Sequence, residues 1–138
     1  EAAMKMSYQY HCALGKPNKK WFISRDQSYH GSGSDAISLG DRPNLRFYKP
    51  FFPKFRGKIP EHNVFRRKKK NESVLDYENR SVNELEKKIK KIGPQNISGF
   101  VAETIMGGLV GDVPPTKNYW KKIRKVCDKY KIHLIITS

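Results

Sequence analysis

The chain has 138 residues, with 28 lysines and arginines against 13 aspartates and glutamates, for a formal net charge of +15. That length and a hydrophobic fraction of 37% predict one domain-sized unit with a modest core. No apolar run approaches the roughly 20 residues of a membrane-spanning helix, so no segment reads as one. The charge fits an anionic partner such as nucleic acid. The lysines, however, are spread over predicted helices and loops, and a solvated basic surface is the better reading.

Residues 1–14 read as a helix, with Ala2, Met6, Tyr10 and Ala13 expected on one inward face and Gly15 and Pro17 ending it. Trp21–Ser24 is a short apolar run with the length and composition of a buried strand. Gln27–Gly33 (QSYHGSG) follows, with an aromatic-His-Gly triplet at the strand end, and Ser34–Leu39 forms a short helix. From about 40 to 63, Pro43, Pro50, Pro53 and Pro60 alternate with Phe47, Tyr48, Phe51, Phe52 and Phe55. Proline at that density excludes a regular helix or a central strand, and the aromatics predict a packed loop. A basic loop follows at about 64–72, carrying the run Arg66–Lys70.

Asn79–Ile92 is predicted helical, with Val82, Leu85, Ile89 and Ile92 as its apolar stripe and Gly93-Pro94 as its stop. Ile97–Ala102 reads as a buried strand. Thr116–Tyr130 is the next helix, with Tyr119, Ile123, Val126 and Tyr130 inward, entered through Pro114-Pro115. Ile132–Thr137 is the third strand. The last three elements make a βαβ unit, which requires parallel pairing and a right-handed crossover.

Cys12 and Cys127 show no metal-ligand spacing, so no metal site is expected, and two isolated thiols predict a reduced, cytoplasmic chain. The N-terminal EAAMKMSYQYH is neither a signal peptide nor a Met start, and HLIITS stops on a buried-strand pattern. Residues 1–138 are therefore expected to be a single partial domain cut from a longer protein.

Two places carry candidate chemistry. Tyr29-His30-Gly31 puts a flat aromatic at a strand tip, able to stack on a planar ligand, with a glycine that lets backbone approach. On its own such a pair is more often packing. Glu103 ends the strand Ile97–Ala102 and precedes a glycine-rich turn with Gly107, Gly108 and Gly111. In α/β proteins ligands sit beyond the carboxyl ends of parallel strands, so this carboxylate either caps the turn or orients a cationic group. Neither a GxGxxG nor a P-loop pattern is present.

The collinear order of YHG, VAET, VPP, a helix ending CDKY and a strand LIIT resembles the class III (omega) aminotransferases, pyridoxal-phosphate enzymes of fold type I. The resemblance covers nearly the whole chain except the lysine-rich stretch near 64–80. It implies an α/β fold, a mostly parallel sheet flanked by helices, as a segment of the large cofactor-binding domain. It implies pyridoxal 5'-phosphate as cofactor, with Tyr29 stacking on its ring, His30 and Gly31 completing the same turn, and Glu103 beside the aspartate that holds the ring nitrogen. The implied reaction moves an amino group between an amine or omega-amino acid and a 2-oxo acid, in a parent expected to be a homodimer.

Departures are equally specific. The ring-nitrogen aspartate is expected just after Ser138, the Schiff-base lysine further on, and the Gly-Ser turn for the cofactor phosphate before Glu1. No catalytic residue is therefore expected within the chain, and the chain alone is expected to be inactive. Family members that use 2-oxoglutarate often carry a second Glu where this chain has Gly108. Two alternatives stand beside this reading: another fold type I reaction (aminomutase, epimerase, decarboxylase), or a small basic nucleic-acid-binding protein. The latter predicts that the YHG and VAET turns need not face one pocket, and Tyr29 and Glu103 lying far apart would favour it.

Overall fold

The computed structural model describes residues 1–137; Ser138 lies outside them. Four strands, β1 (Trp21–Arg25), β2 (Arg56–Ile59), β3 (Ile97–Glu103) and β4 (His133–Thr137), form one sheet in the order β2-β1-β3-β4. Every pairing is parallel. The chain steps from β1 to one side for β2, then crosses back to the other side of β1 for β3. The strand order therefore reverses between β1 and β3, and a crevice opens beyond their carboxyl ends.

Helices cover both faces. α1 (Ala2–Ala13) and the short α2 (Ser34–Leu39) lie on one side, where Met4, Phe22, Leu39 and Val101 pack together. α4 (Val74–Ile92) and α5 (Tyr119–Tyr130) cover the other, where Leu85, Ile89 and Ile123 meet Ile23 and Phe100. Neighbouring residues of β1 serve opposite faces, Phe22 one core and Ile23 the other, as strand alternation dictates. All seven residues of β3 are buried, as a central parallel strand requires. A Cβ at Gly57 on β2 would meet the end of the Ile92 side chain of α4, Cδ1, at 2.8 Å.

The fold class and the predicted strands are present. The inward face expected for α1 is not. Met6 is 69% exposed and Tyr10 53%, while Met4, Ser7 and His11 turn inward. The reason is polar. Ser7 Oγ and His11 Nδ1 bond the Ser98 hydroxyl at 2.8 and 3.0 Å, and Ser7 Oγ bonds His133 Nδ1 at 2.6 Å. A hydrophobicity pattern cannot register a helix face that is satisfied by hydrogen bonds.

The proline-rich segment is more regular than expected. Pro43–Phe51 winds into a 3₁₀ helix, and Arg56–Ile59 forms β2, which pairs only with β1 among the described residues. Proline did exclude a central strand there, but an edge strand fitted between Pro53 and Pro60. Within the basic loop, α3 (Val64–Arg67) forms because the Asn63 side chain accepts from the Phe65 and Arg66 amides. α4 begins at Val74 rather than Asn79, since the Ser73 hydroxyl accepts from the Asp76 amide. α5 begins at Tyr119 rather than Thr116, because Thr116 is taken up by His62.

Candidate functional site

The crevice at the β1–β3 reversal gathers both sequence candidates. β1 ends at Arg25, and the turn beyond it carries Tyr29 and His30; β3 ends at Glu103. The Tyr29 backbone amide faces the Glu103 carboxyl and helps hold it anionic. The two motifs thus open on one crevice, an arrangement that the nucleic-acid alternative does not need.

Glu103 is 5% exposed. Its Oε2 accepts from the Gly107 amide at 3.5 Å, and its Oε1 is buried with no partner. Burial holds this carboxyl above the usual carboxylate range, while the Gly107 amide and the Arg25 charge pull the other way. The glycine-rich turn is closed by a two-residue antiparallel bridge. Met106 N donates to Val113 O at 3.1 Å, and Val113 N to Met106 O at 2.8 Å. Gly107 and Gly108 therefore sit on a pinned loop beside Glu103.

His30 has one ring nitrogen in use, Nδ1 with Thr137 Oγ1 at 3.3 Å, and a buried Nε2 with no partner. Burial pushes its pKa down to about 4, with Lys58 and Arg25 adding like-charge repulsion, so the ring is neutral at pH 7. Gly31 has φ 133°, a backbone conformation side chains rarely adopt, and a Cβ there would meet the Ala36 methyl at 3.1 Å. Its glycine is fixed by the turn that aims Tyr29 and His30.

Two arginines belong to this place and were not singled out from sequence. Arg25 is 1% exposed. It donates to the Glu103 carbonyl and lies 5.5 Å from the Trp120 ring and 6.0 Å from the Tyr119 ring, leaving Nε unpartnered. The rule that found Glu103, a charged residue closing an apolar strand, applies equally to WFISR and would have found it. Arg42 lies with its guanidinium 4.2 Å from the Tyr29 ring centroid. Nothing in the local sequence signals that contact across 13 positions.

Beneath α4 and α5, His62 stacks on Tyr119 at 3.9 Å and on Tyr77 at 5.2 Å, bonded to Ser81 and Thr116. This cluster ties the loop before α3 to the start of α5 and supports the crevice floor around Arg25.

The class-III aminotransferase family model matches residues 1–137. An aminotransferase of Gibberella zeae is 34% identical, covering 99% of this chain and 27% of that protein. A probable gamma-aminobutyrate transaminase 3, mitochondrial, of Oryza sativa is 38% identical, covering 98% of this chain and 26% of that protein. Among solved structures, the omega transaminase from Pseudomonas jessenii in complex with PMP superposes with a TM-score of 0.90 at 36% identity, covering 98% of this chain and 30% of that one. The chain thus spans between about a quarter and a third of the length of these relatives. With the family model matched along all the described residues and the strand-tip motifs brought into one crevice, the chain belongs to the class-III aminotransferases.

Proposed function

We propose that this chain is part of a pyridoxal-phosphate-dependent aminotransferase that moves an amino group between an amine or omega-amino acid and a 2-oxo acid. The observation that carries the reading is the pair of unpartnered buried atoms, Glu103 Oε1 and His30 Nε2, at the strand-order reversal of a parallel sheet. Such atoms are stable in a fold when a ligand completes them. Tyr29 supplies a half-exposed ring, and Gly31 the turn that aims it. These residues fit a planar, polar-edged heteroaromatic group, and the solved relative with PMP supports that choice.

In this reading Tyr29 packs against the cofactor ring, and Glu103 turns its unpartnered Oε1 to the polar edge. Neutral His30, held by Thr137, orders the same turn without adding positive charge. When bound, pyridoxal phosphate supplies the electron sink for amino transfer. The lysine and aspartate that attach it and hold its ring nitrogen are expected from sequence this chain does not contain. We accordingly propose that the 138-residue chain alone is inactive. The parent is proposed to be a homodimer acting on small molecules rather than nucleic acid. The two free thiols, Cys12 and Cys127, favour a cytoplasmic setting.

The test is amine-dependent turnover. The holoenzyme should exchange an amino group between an amine and a 2-oxo acid. Glu103→Gln should weaken cofactor binding about tenfold, because the carboxyl group whose Oε1 has no partner in the fold is lost. A holoenzyme that converts no amine would sink the reading. Turnover by the isolated chain, with a borohydride-trapped lysine adduct, would sink the proposed inactivity.

A further inference from the structure

We propose that Arg42 is a substrate-reading residue that binds a carboxylate of the amino donor or acceptor, an inference that rests on the aminotransferase reading above. Three independent features place it there. Its guanidinium stacks on the Tyr29 ring at 4.2 Å, so it stands at the crevice rather than on the outer surface. A Cβ at Gly108 would lie 3.7 Å from its Nη2, so it reaches across to the turn beside Glu103. Its Nε is buried and has no hydrogen-bond partner.

Charge bookkeeping around the adjoining cavity singles it out. A space of about 580 Å³ opens beside Tyr29, with Arg42, Arg46, Lys49, Lys54, Arg56 and Lys58 as its basic residues and Asp41 as its one acid. Most of that positive charge is already engaged. Arg46 pairs with Asp41 at 3.1 Å and Arg56 with Asp35 at 2.7 Å. Lys58 donates to the Leu39 and Gly40 carbonyls at 2.6 and 2.7 Å. Lys49 and Lys54 are exposed to solvent. Arg42 alone joins a buried, unused donor to a position against the candidate cofactor-stacking ring.

The planar fork of an arginine matches a carboxylate in bidentate fashion, whereas a lysine offers only a point charge. Gly108 matters here because it brings no carboxylate of its own. A glutamate at that position would stand beside Arg42 and neutralise it. With glycine, the guanidinium is free for an anion that arrives with the substrate. Two sources could supply a planar or near-planar oxyanion, the substrate carboxylate or the cofactor phosphate. The open cavity that Arg42 lines beside Tyr29 favours the former, because it leaves room for the chain of a substrate.

The experiment has a kinetic and a binding arm. In the holoenzyme, 5-aminopentanoate and pentylamine are compared as donors of matched length. Arg42→Gln should lower kcat/KM for 5-aminopentanoate roughly 10- to 100-fold, chiefly through KM, and leave pentylamine unchanged. Arg42→Lys should recover part of the loss. Lys121→Gln, an exposed lysine on α5, should change neither donor. Equal losses on both donors, or none on the carboxylate donor, would overturn the role of Arg42 while leaving the aminotransferase reading standing. Conversion of neither donor by the wild type would remove both together.

The binding arm titrates glutarate, its neutral diamide and inorganic phosphate calorimetrically onto the cofactor-free protein. Glutarate heat that disappears in Arg42→Gln supports the proposal. Glutarate heat that survives the substitution overturns it. Phosphate bound more tightly than glutarate, and lost in the same variant, overturns it in favour of the cofactor phosphate.

Discussion

Tyr29 is the residue on which most of the site converges, with Arg42 against its ring and its own amide facing the Glu103 carboxyl. Its ring is the part the proposed cofactor would use, so hydroxyl and ring should separate on mutation. Tyr29→Phe keeps the ring and should bind pyridoxal phosphate like the wild type. Tyr29→Ala removes it and should weaken cofactor binding about 3- to 10-fold, from the lost aromatic contact. A cofactor titration followed by absorbance checks both, and equal affinity for the two variants would exclude stacking. Glu103 and Tyr29 were legible because Glu103 closes β3 and Tyr29 lies in the turn that follows β1, and chain chemistry marks strand ends. Arg42 was not, because its contact is made by a 3₁₀ segment whose path no local pattern specifies.

At the scale of elements, α1 is held to the sheet by hydrogen bonds where hydrophobic contact was expected. His11, Ser7, Ser98 and His133 form one buried cluster, and the two imidazole rings lie 4.6 Å apart. Lys16 and Lys19 act on His11, and Lys19 and Arg124 on His133, as neighbouring positive charges. Burial and these cations push His11 down to about 4, and His133 is lowered by the same causes. The sign follows directly. The folded state resists protonation of His11, so its stabilising contribution is complete above the unfolded value near 6.5. It is lost as pH falls from there towards 4. Urea unfolding midpoints should therefore drop between pH 7 and pH 5, and His11→Asn, which can keep the Ser98 bond, should drop less. An identical pH dependence in that variant would place the titration elsewhere, with His62 and His30, both also lowered to about 4, the next groups to replace.

For the whole molecule, the decisive feature is the order β2-β1-β3-β4 with all strands parallel. It creates the crevice at β1 and β3 and leaves β2 and β4 as edges among the described residues. β2 is short and followed by Pro60, which blunts it. β4 is not blunted. Its residues are half-buried, and Ile136 is 43% exposed. An open apolar edge is a template for pairing with another strand, so the isolated chain should self-associate as its concentration rises. Ile136→Lys should reduce that association in sedimentation velocity. A wild-type chain that stays monomeric at high concentration would show that β4 is not sticky.

The sequence by itself determined the class of the fold and the two strand-tip motifs. Buried parallel strands are continuous apolar runs, amphipathic helices carry a 3.6-residue stripe, and both are properties of neighbours in the chain. It determined the stripe of α4 through Val82, Leu85 and Ile89 for the same reason. Only the tertiary structure decided that Tyr29 and Glu103 share a crevice, since 74 positions separate them and strand order is set by packing between distant segments. It alone showed that α1 turns Ser7 and His11 inward and that β2 forms among prolines. It alone set Arg42 against Tyr29. Each of these depends on a hydrogen bond, a strand pairing or a ring contact whose partner lies far along the chain, and no local pattern of residues encodes such a partner.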